Sequence, residues 1–344
     1  MTTATLTSLL ARNTLGLFGA LVSSRLSILI FHRVHARPDP LFPHEPDAQR
    51  FEAIVRYVAA TYRVMTLREA VAHLQQRALP PRSLVITFDD GYADNAEVAL
   101  PILQRYGLQA TFFVSTGFLD GGRMWNDSVI ECIRACRHDE IDLGAFDLGR
   151  CSLATPAERS AVIDTLLPRI KYLTLSGREE AISGLLRLCK VTELPRDLMM
   201  RSNQVIEMHR AGMEIGAHTV NHPILTSITP PEAEFEIAEG RRHLESLIDV
   251  PIESFAYPNG KPNQDYDCSH VAMVRKLGFR GAVSTAPGVA QSGNDLYQLP
   301  RFSPWGRSMP VWGTRLVLNQ FNSRFSIAVH QGAEEGLSDS RAIV

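Results

Sequence analysis

Short runs of branched and aromatic residues alternate with amphipathic helical patterns along most of this chain. This alternation predicts parallel strands joined by helices, which form either a barrel or a doubly wound sheet. In both folds the side chains that perform chemistry lie at the carboxyl ends of the strands. The predicted strands are residues 27–32, 83–88, 110–115, 213–217, 254–257 and 281–284. The predicted helices are residues 47–62, 66–76, 94–106, 203–211, 231–247 and 264–277.

The alternation is interrupted between about residues 118 and 201, where strand patterns fade and helical patterns dominate. With 344 residues, the chain can form one barrel with an insertion or two domains. We expect a barrel domain over residues 25–305 that carries this helical insertion, and a C-terminal extension over 306–344.

Residues 1–24 are predicted to form an N-terminal helix packed on the body of the protein. Arg12 and Asn13 interrupt its apolar stretch, and the uninterrupted part is shorter than the roughly 20 residues that span a bilayer. Peripheral contact with a membrane surface is the alternative.

Composition excludes some classes of function. The formal net charge is −2 with no dense Lys/Arg run, which argues against nucleic acid as a partner. The five cysteines are odd in number and contain no CxxC pair, which fits a reducing compartment. We therefore expect a cytoplasmic protein, with attachment to a membrane surface as the alternative, and no pattern indicates an oligomeric state.

Two adjacent carboxylates, Asp89 and Asp90, follow the predicted strand at 83–88. Successive side chains of an extended chain point to opposite sides, so one carboxylate can bind a cation while its neighbour moves a proton. Gly91 allows the backbone to turn sharply there. By itself, an Asp-Asp-Gly sequence is more typical of a turn or a helix cap.

Two histidines, His218 and His222, follow the predicted strand at 213–217. On one helical turn or across a tight loop, this spacing lets both imidazoles reach one ion. Two histidines and a carboxylate leave coordination positions open for water and substrate, as a catalytic site requires. Zinc is the first expectation for the divalent metal, and cobalt, nickel, manganese and iron suit the same ligands.

Together, TFDDGY (residues 87–92) and HTVNH (218–222) resemble the first two signature motifs of the polysaccharide deacetylases, carbohydrate esterase family 4 with its NodB homology domain. The resemblance spans about residues 25–305 and is loose in the insertion. It implies an α/β fold, a distorted (β/α)7-type barrel with fewer strands than a full one. It also implies that Asp90, His218 and His222 bind the metal and that Asp89 is the catalytic base.

The third motif of that family departs from its usual form, because SFAYPNGK (residues 254–261) lacks the arginine. Tyr257, Pro258 and Asn259 still resemble the loop that shapes the substrate groove and offers a backbone N–H to the oxyanion. Arg301 is our candidate for the charge partner that keeps Asp89 ionised, and a surface salt bridge is the alternative.

The family's last motif, a strand ending in the histidine that protonates the leaving amine, is not clear near the C-terminus, where His330 matches poorly. The N-terminal ILIFHRV instead resembles the permuted deacetylases of biofilm poly-N-acetylglucosamine, in which this strand comes first. A closed barrel tolerates the change because its first and last strands are neighbours. We expect His32 to be the general acid, or otherwise a histidine that caps a strand end.

The resemblance implies a hydrolase that removes N-acetyl groups from amino sugars of a polysaccharide, an oligosaccharide or a lipid-linked glycan. Trp125 is expected to stack on a sugar ring, or otherwise to anchor the insertion. One alternative is hydrolysis of a non-sugar amide, which a small closed pocket would favour over an open aromatic cleft. The other is a glycan-binding relative without catalysis, suggested by the missing arginine.

Overall fold

The computed structural model describes residues 24–304, 306 and 308–329. The helix predicted at residues 1–24 lies outside the described residues except for its last position, and so does the extension beyond residue 329. Within the described residues, no helix has the length and apolar character needed to cross a membrane.

Seven mutually parallel strands form a closed barrel. In the order in which they pair, they are Arg25–Phe31, Ser83–Phe88, Thr111–Val114, Glu214–Ala217, Ser254–Ala256, Gly281–Pro287 and Leu299–Arg301. Phe302, directly after the last strand, closes the barrel by a parallel bridge to Leu29 in the first. The (β/α)7-type barrel predicted from the sequence is confirmed. The strands are β1 (Arg25–Phe31), β2 (Arg63–Met65), β3 (Ser83–Phe88), β4 (Thr111–Val114), β5 (Glu140–Asp142), β6 (Arg150–Ser152), β7 (Glu214–Ala217), β8 (Ser254–Ala256), β9 (Gly281–Pro287), β10 (Ala290–Gln291) and β11 (Leu299–Arg301).

Helices surround the barrel, and side chains cap the first two of them. Asp47 caps the first helix, and Thr66 with Glu69 forms a capping box at the start of the second. The helix predicted at 94–106 begins as a π-helical segment, Asn95–Ala99. The α-helices are α1 (Ala48–Thr61), α2 (Leu67–Gln75), α3 (Leu100–Arg105), α4 (Trp125–Ala135), α5 (Pro156–Lys171), α6 (Leu175–Cys189), α7 (Ser202–Arg210), α8 (Pro230–Ile248), α9 (Cys268–Lys276) and α10 (Met309–Asn319).

The alternation of side chains along each strand separates two buried layers. Val85 of β3 belongs to the inner cluster of the barrel, together with Leu26, Ile28, Ala256, Val283 and Leu299. Leu84, Ile86 and Phe88 belong to the outer cluster, between the sheet and its helices. Residues 87 and 89 therefore continue the inward series above this apolar layer.

The insertion is a lobe with a hydrophobic core of its own, built by α4, α5, α6 and the β5–β6 hairpin. The buried Cys132 and Cys136 lie in this core, as small apolar side chains would. The helical patterns predicted there are present, but the hairpin was not predicted. Its strands have three residues each, too few to give a recognisable alternation, and Ile141 is the fully buried residue among them.

Candidate active site

Three side chains converge at the carboxyl ends of β3 and β7. Oδ1 of Asp90 lies 3.4 Å from Nε2 of His218 and 3.4 Å from Nε2 of His222. One potential ligand atom from each residue lies within 4.8 Å of the other two, so a single cation between them could contact all three. The convergence predicted from the sequence is therefore present.

The backbone at these positions adopts left-handed conformations that side chains rarely take. Asp90 has φ 76°, and Gly91 after it has φ 89° with Cγ1 of Val114 only 3.0 Å from where a Cβ would lie. Thr219 and His222 have φ 66° and 52°, so the two histidines lie across a tight loop and not on a helical turn. Such strain persists where the surrounding structure holds it, which is common at functional sites.

The histidine loop is held by Glu236 of α8, a residue that the sequence analysis missed. Its carboxylate accepts hydrogen bonds from the backbone N–H groups of Val220 (2.9 Å) and Asn221 (2.8 Å), and from the Asn221 side-chain amide (2.7 Å). Glu236 is buried with only 9% of its surface exposed. No local signal marks it, because the contact depends on how α8 packs against the loop.

Two hydrogen-bonding features show that the cluster fits a divalent cation. Nδ1 of His218 lies 2.8 Å from the carbonyl oxygen of Ala256, so Nδ1 carries the proton and the lone pair of Nε2 is directed at Asp90. Oδ1 of Asp90 is buried, and no hydrogen-bond donor reaches it among the described residues. A buried anionic oxygen without a donor is unfavourable unless a cation compensates it.

The pKa shifts agree with that fit. Burial lowers the pKa of His222 to about 4, so its ring is neutral at physiological pH and offers a lone pair. Burial opposes ionisation of Asp90, yet the adjacent His218 and His222 outweigh it and hold the carboxyl pKa well below its usual range. Burial also opposes protonation of His218, but Asp90 and Asp89 raise its pKa, so a proton and a cation compete for its Nε2.

Asp89 forms a buried, bidentate ion pair with Arg301. Nη1 of Arg301 lies 2.6 Å from Oδ1, and Nη2 lies 2.7 Å from Oδ2. Arg301 also donates to Oγ1 of Thr87 and to the carbonyl oxygen of Ser284. Burial disfavours the ionised carboxylate, but the charge of Arg301 holds the pKa of Asp89 below its usual value. The predicted charge partner is in place, and the alternative of a surface salt bridge is wrong.

A cavity of about 430 Å³ lies over these residues. Its barrel side is lined by His32, Asn259, Lys261 and the four residues Asp89, Asp90, His218 and His222. Its other side is formed by the insertion, through Trp125, Asn126, Lys171, Tyr172 and Arg178. His32 and Asp89 lie side by side, since Phe31 pairs with Phe88 in the parallel ladder between β1 and β3.

Tyr257 and Pro258 do not lie where the sequence analysis expected them. The N–H of Tyr257 donates to the carbonyl oxygen of Val283 at 3.3 Å, so it is not free for an oxyanion. Its ring is buried in the outer layer and stacks on Tyr266 with centroids 3.8 Å apart. The alternation continues past β8, so residue 257 points outward like residue 255, and Pro258 is buried beside it. Asn259 alone of the three lines the cavity.

The cavity is also lined by three insertion residues that no sequence pattern indicated, Lys171, Tyr172 and Arg178. They reach it because the insertion folds over the barrel mouth, where Nε2 of Gln264 donates to the Tyr172 hydroxyl at 2.8 Å. Trp125, which the sequence did indicate, lines the same wall.

Comparison with known proteins finds matches over most of the chain. A family model described as polysaccharide deacetylase matches residues 76–145 and 187–282, which leaves residues 146–186 of the insertion unmatched. YxkH of Bacillus subtilis strain 168, which carries the name of a polysaccharide deacetylase, is 22% identical over 280 residues, covering 81% of this chain and 71% of YxkH.

Two solved structures share the fold of this chain. The deacetylase PplD of Streptococcus pyogenes has a TM-score of 0.58 at 19% identity, covering 87% of this chain and 99% of PplD. IcaB from Ammonifex degensii has a TM-score of 0.55 at 19% identity, covering 86% of this chain and 97% of IcaB.

Proposed function

We propose that this chain is a member of the polysaccharide deacetylase family and a metal-dependent hydrolase of N-acetyl groups on amino sugars, because the family model of that name matches residues 76–145 and 187–282. The substrate is a polysaccharide, an oligosaccharide or a lipid-linked glycan. The observation that carries the proposal is the buried cluster of Asp90, His218 and His222 beside the separately paired carboxylate of Asp89.

Asp90, His218 and His222 would hold a divalent cation, with zinc as the first candidate. Such an ion, when bound, polarises the acetyl carbonyl and makes water easier to deprotonate. The protein fixes the ligand geometry through the Ala256 carbonyl behind His218 and through Glu236 behind the histidine loop.

Asp89 acts as the general base in this proposal. The bidentate contact with Arg301 holds the carboxylate in one orientation and keeps it ionised at neutral pH. The carboxylate takes a proton from the attacking water as the new C–O bond forms. Asp89 and Asp90 thus divide the work between proton transfer and cation binding.

His32 acts as the general acid in this proposal. It borders the cavity from the end of β1, beside Asp89 on the neighbouring strand. When the C–N bond breaks, the departing amine needs a proton, and a histidine supplies one near neutral pH. The products are acetate and the free amino sugar. This role corresponds to the permuted order in which the histidine strand comes first.

The alternatives are less well supported by the geometry. A binding protein without catalysis was suggested by the missing arginine of the third motif, but Arg301 supplies a charge partner for Asp89. A cavity bordered by Trp125 and Tyr172 and extended along the insertion suits a sugar chain better than a small metabolite.

The test is acetate release from N-acetylglucosamine oligomers by the purified protein. We expect release to stop with a chelator and to return with added zinc or cobalt. Asp89→Asn should abolish turnover, and His32→Ala should reduce it by roughly ten-fold or more. Asp249→Asn is the matched control, because Asp249 is exposed at the C-terminal end of α8.

Stoichiometric metal binding without acetate release from any N-acetyl sugar would contradict the glycan assignment. The hydrolysis of a non-sugar amide would then be the better interpretation. Release that His32→Ala leaves unchanged would remove His32 from the mechanism and leave the reaction itself in place.

A further inference from the structure

Three cationic side chains border the cavity. Lys171 and Arg178 come from the insertion, and Lys261 comes from the loop after β8. In the part of the chain that the structure describes, none of these three forms a salt bridge with a carboxylate. Of the carboxylates that line the cavity, Asp89 is paired with Arg301, and Oδ1 of Asp90 lies 3.4 Å from the Nε2 atoms of His218 and His222, where the cation of the proposed function would bind.

Arg178 is the most constrained of the three. Its side chain is half-buried, with the guanidinium carbon 5.6 Å from the centroid of the Trp125 ring. Its Nε donates to the carbonyl oxygen of Leu173 at 3.3 Å, which orients the planar group. Burial lowers the pKa of the guanidinium, although arginine stays charged at physiological pH. A partly desolvated cation without a counter-ion is unfavourable, and an incoming anion would relieve that cost.

Lys171 is held near the site through its neighbour Tyr172. Its Nζ lies 5.5 Å from the ring centroid of Tyr172, and the Tyr172 hydroxyl accepts a hydrogen bond from Gln264 of the barrel. This contact ties the end of α5 to the loop that also carries Lys261. The positive charges therefore come from both walls and surround the space next to the histidine cluster.

A second cavity shows on which side of Arg178 an anion would lie. Trp125 and Arg178 also border a larger cavity of about 840 Å³ between α6 and α8. That cavity is lined by three carboxylates, Glu179, Glu232 and Glu236, and by one cation besides Arg178, which is Arg123, so its net charge disfavours an anion. The charge of Arg178 is thus available on the side of the metal-ligand cluster.

We propose that the substrate carries a negatively charged group, a carboxylate or a phosphate, on or next to the N-acetylated sugar, and that Arg178, Lys171 and Lys261 bind it. This inference rests on the proposed function and names its substrate class. Both anions present a pair of oxygen atoms that the guanidinium of arginine binds through two N–H groups. A uronic acid would supply the carboxylate, and a phosphodiester-linked sugar would supply the phosphate.

The experiment compares kcat/KM for three substrates of equal length. They are a neutral N-acetylglucosamine oligomer, an oligomer that alternates N-acetylglucosamine with glucuronate, and an N-acetylglucosamine oligomer that bears a phosphodiester. We expect one anionic substrate to exceed the neutral oligomer by roughly ten-fold or more at low salt, and high salt to reduce that ratio. The better of the two anionic substrates identifies the source of the charge.

Substitutions of the three cationic residues test which of them binds the anionic group. Arg178→Gln should reduce the ratio of anionic to neutral kcat/KM by roughly ten-fold, the loss expected for one charge-assisted pair. Lys171→Gln and Lys261→Gln should reduce it less, because lysine contacts an anion as a single point charge. Arg187→Gln is the matched control, since Arg187 lies on the same helix, α6, and is exposed. Equal kcat/KM for all three substrates, or a ratio that Arg178→Gln leaves intact, would overturn the proposal.

A binding measurement separates this inference from the reaction. With the Asp89→Asn protein, the affinity for the anionic and neutral oligomers can be measured by calorimetry without turnover. If no oligomer of any kind releases acetate, the proposed function fails. Tighter, salt-sensitive binding of the anionic oligomer would then still support the anion site, and equal affinities would exclude it.

Discussion

The two walls of the cavity are built in different ways. On the barrel wall, two functional side chains are fixed by buried partners, Asp89 by Arg301 and His218 by the carbonyl oxygen of Ala256. On the insertion wall, Lys171 and Arg178 are half-buried and lie against the aromatic rings of Tyr172 and Trp125.

Under the proposed function, the barrel wall performs the chemistry and the insertion wall selects the substrate. The carboxyl ends of parallel strands meet at one rim, and a closed sheet holds them rigidly. The insertion has a separate hydrophobic core, so its surface can vary without disturbing the barrel. The family model matches both flanks of the insertion but not residues 146–186 within it. Changes on the barrel wall should therefore affect turnover more than changes on the insertion wall.

The largest effect is expected for His218→Ala. Without this ligand the cluster retains two of its three donors, and we expect cation binding to be lost together with activity, by a factor on the order of 10³ or more. Metal content by elemental analysis and acetate release measure both. His209→Ala on α7, outside the cavity, should keep both. Full activity in His218→Ala would remove the barrel wall from the chemistry.

Arg301→Met should have the second-largest effect, because it leaves the buried carboxylate of Asp89 without a partner. Removing one member of a buried ion pair costs about 3–5 kcal/mol, and activity should fall roughly 100-fold as Asp89 loses its orientation. Urea unfolding and acetate release test the two effects. Arg301→Lys keeps the charge but not the bidentate contact, so its stability and activity should lie between those of Arg301→Met and of the unchanged protein. A stable, active Arg301→Met would show that Asp89 needs no partner.

Glu236→Gln tests whether the hydrogen bonds that hold the histidine loop contribute to metal affinity. The amide keeps one oxygen acceptor but introduces donors facing the backbone N–H groups of Val220 and Asn221. We expect metal affinity to fall by about 10–100-fold, as for other residues that position metal ligands. Metal titration measures it, and Glu239→Gln on the same helix, where Glu239 pairs with Arg242, is the control.

Trp125→Ala changes the insertion wall instead. Loss of the stacking surface should raise KM by roughly ten-fold while kcat changes little, since the reacting atoms contact the barrel. Trp125→Phe should restore part of the affinity. A fall in kcat with unchanged KM would contradict the division between the walls.

The smallest effect is expected at the opposite end of the barrel, where Glu214 accepts hydrogen bonds from Thr111 and Ser254. Burial raises the pKa of this carboxyl despite those bonds, so the folded state binds its proton more tightly than the unfolded state does. The resulting stability is complete below the unfolded pKa and is lost as pH rises through the folded one. Glu214→Gln should remove that loss of stability in urea unfolding as pH rises above the ordinary range of a glutamate carboxyl, and should leave activity unchanged. A pH dependence equal to that of the unchanged protein would contradict the shift.

Much of the barrel was predictable because most of its strands and helices have a recognisable local sequence pattern. The six predicted strands are all present, and the ligand motifs at 89–90 and 218–222 lie at strand ends as expected. The short strands β2, β10 and β11 and the hairpin in the insertion were missed, since two or three residues give no periodic pattern. Tyr257 was misplaced although the alternation of Phe255 and Tyr257 already indicated a common face.

The sequence by itself determined the β/α alternation and the set of Asp90, His218 and His222, because strand-end motifs are local and the carboxyl ends of parallel strands share one rim. Only the tertiary structure decided the rest. Arg301 contacts Asp89, which lies 212 positions earlier in the sequence, because the last strand of the barrel lies beside the first. The insertion brings Arg178 to the cavity because its own core sets how the lobe lies over the barrel, and no short-range pattern encodes that placement.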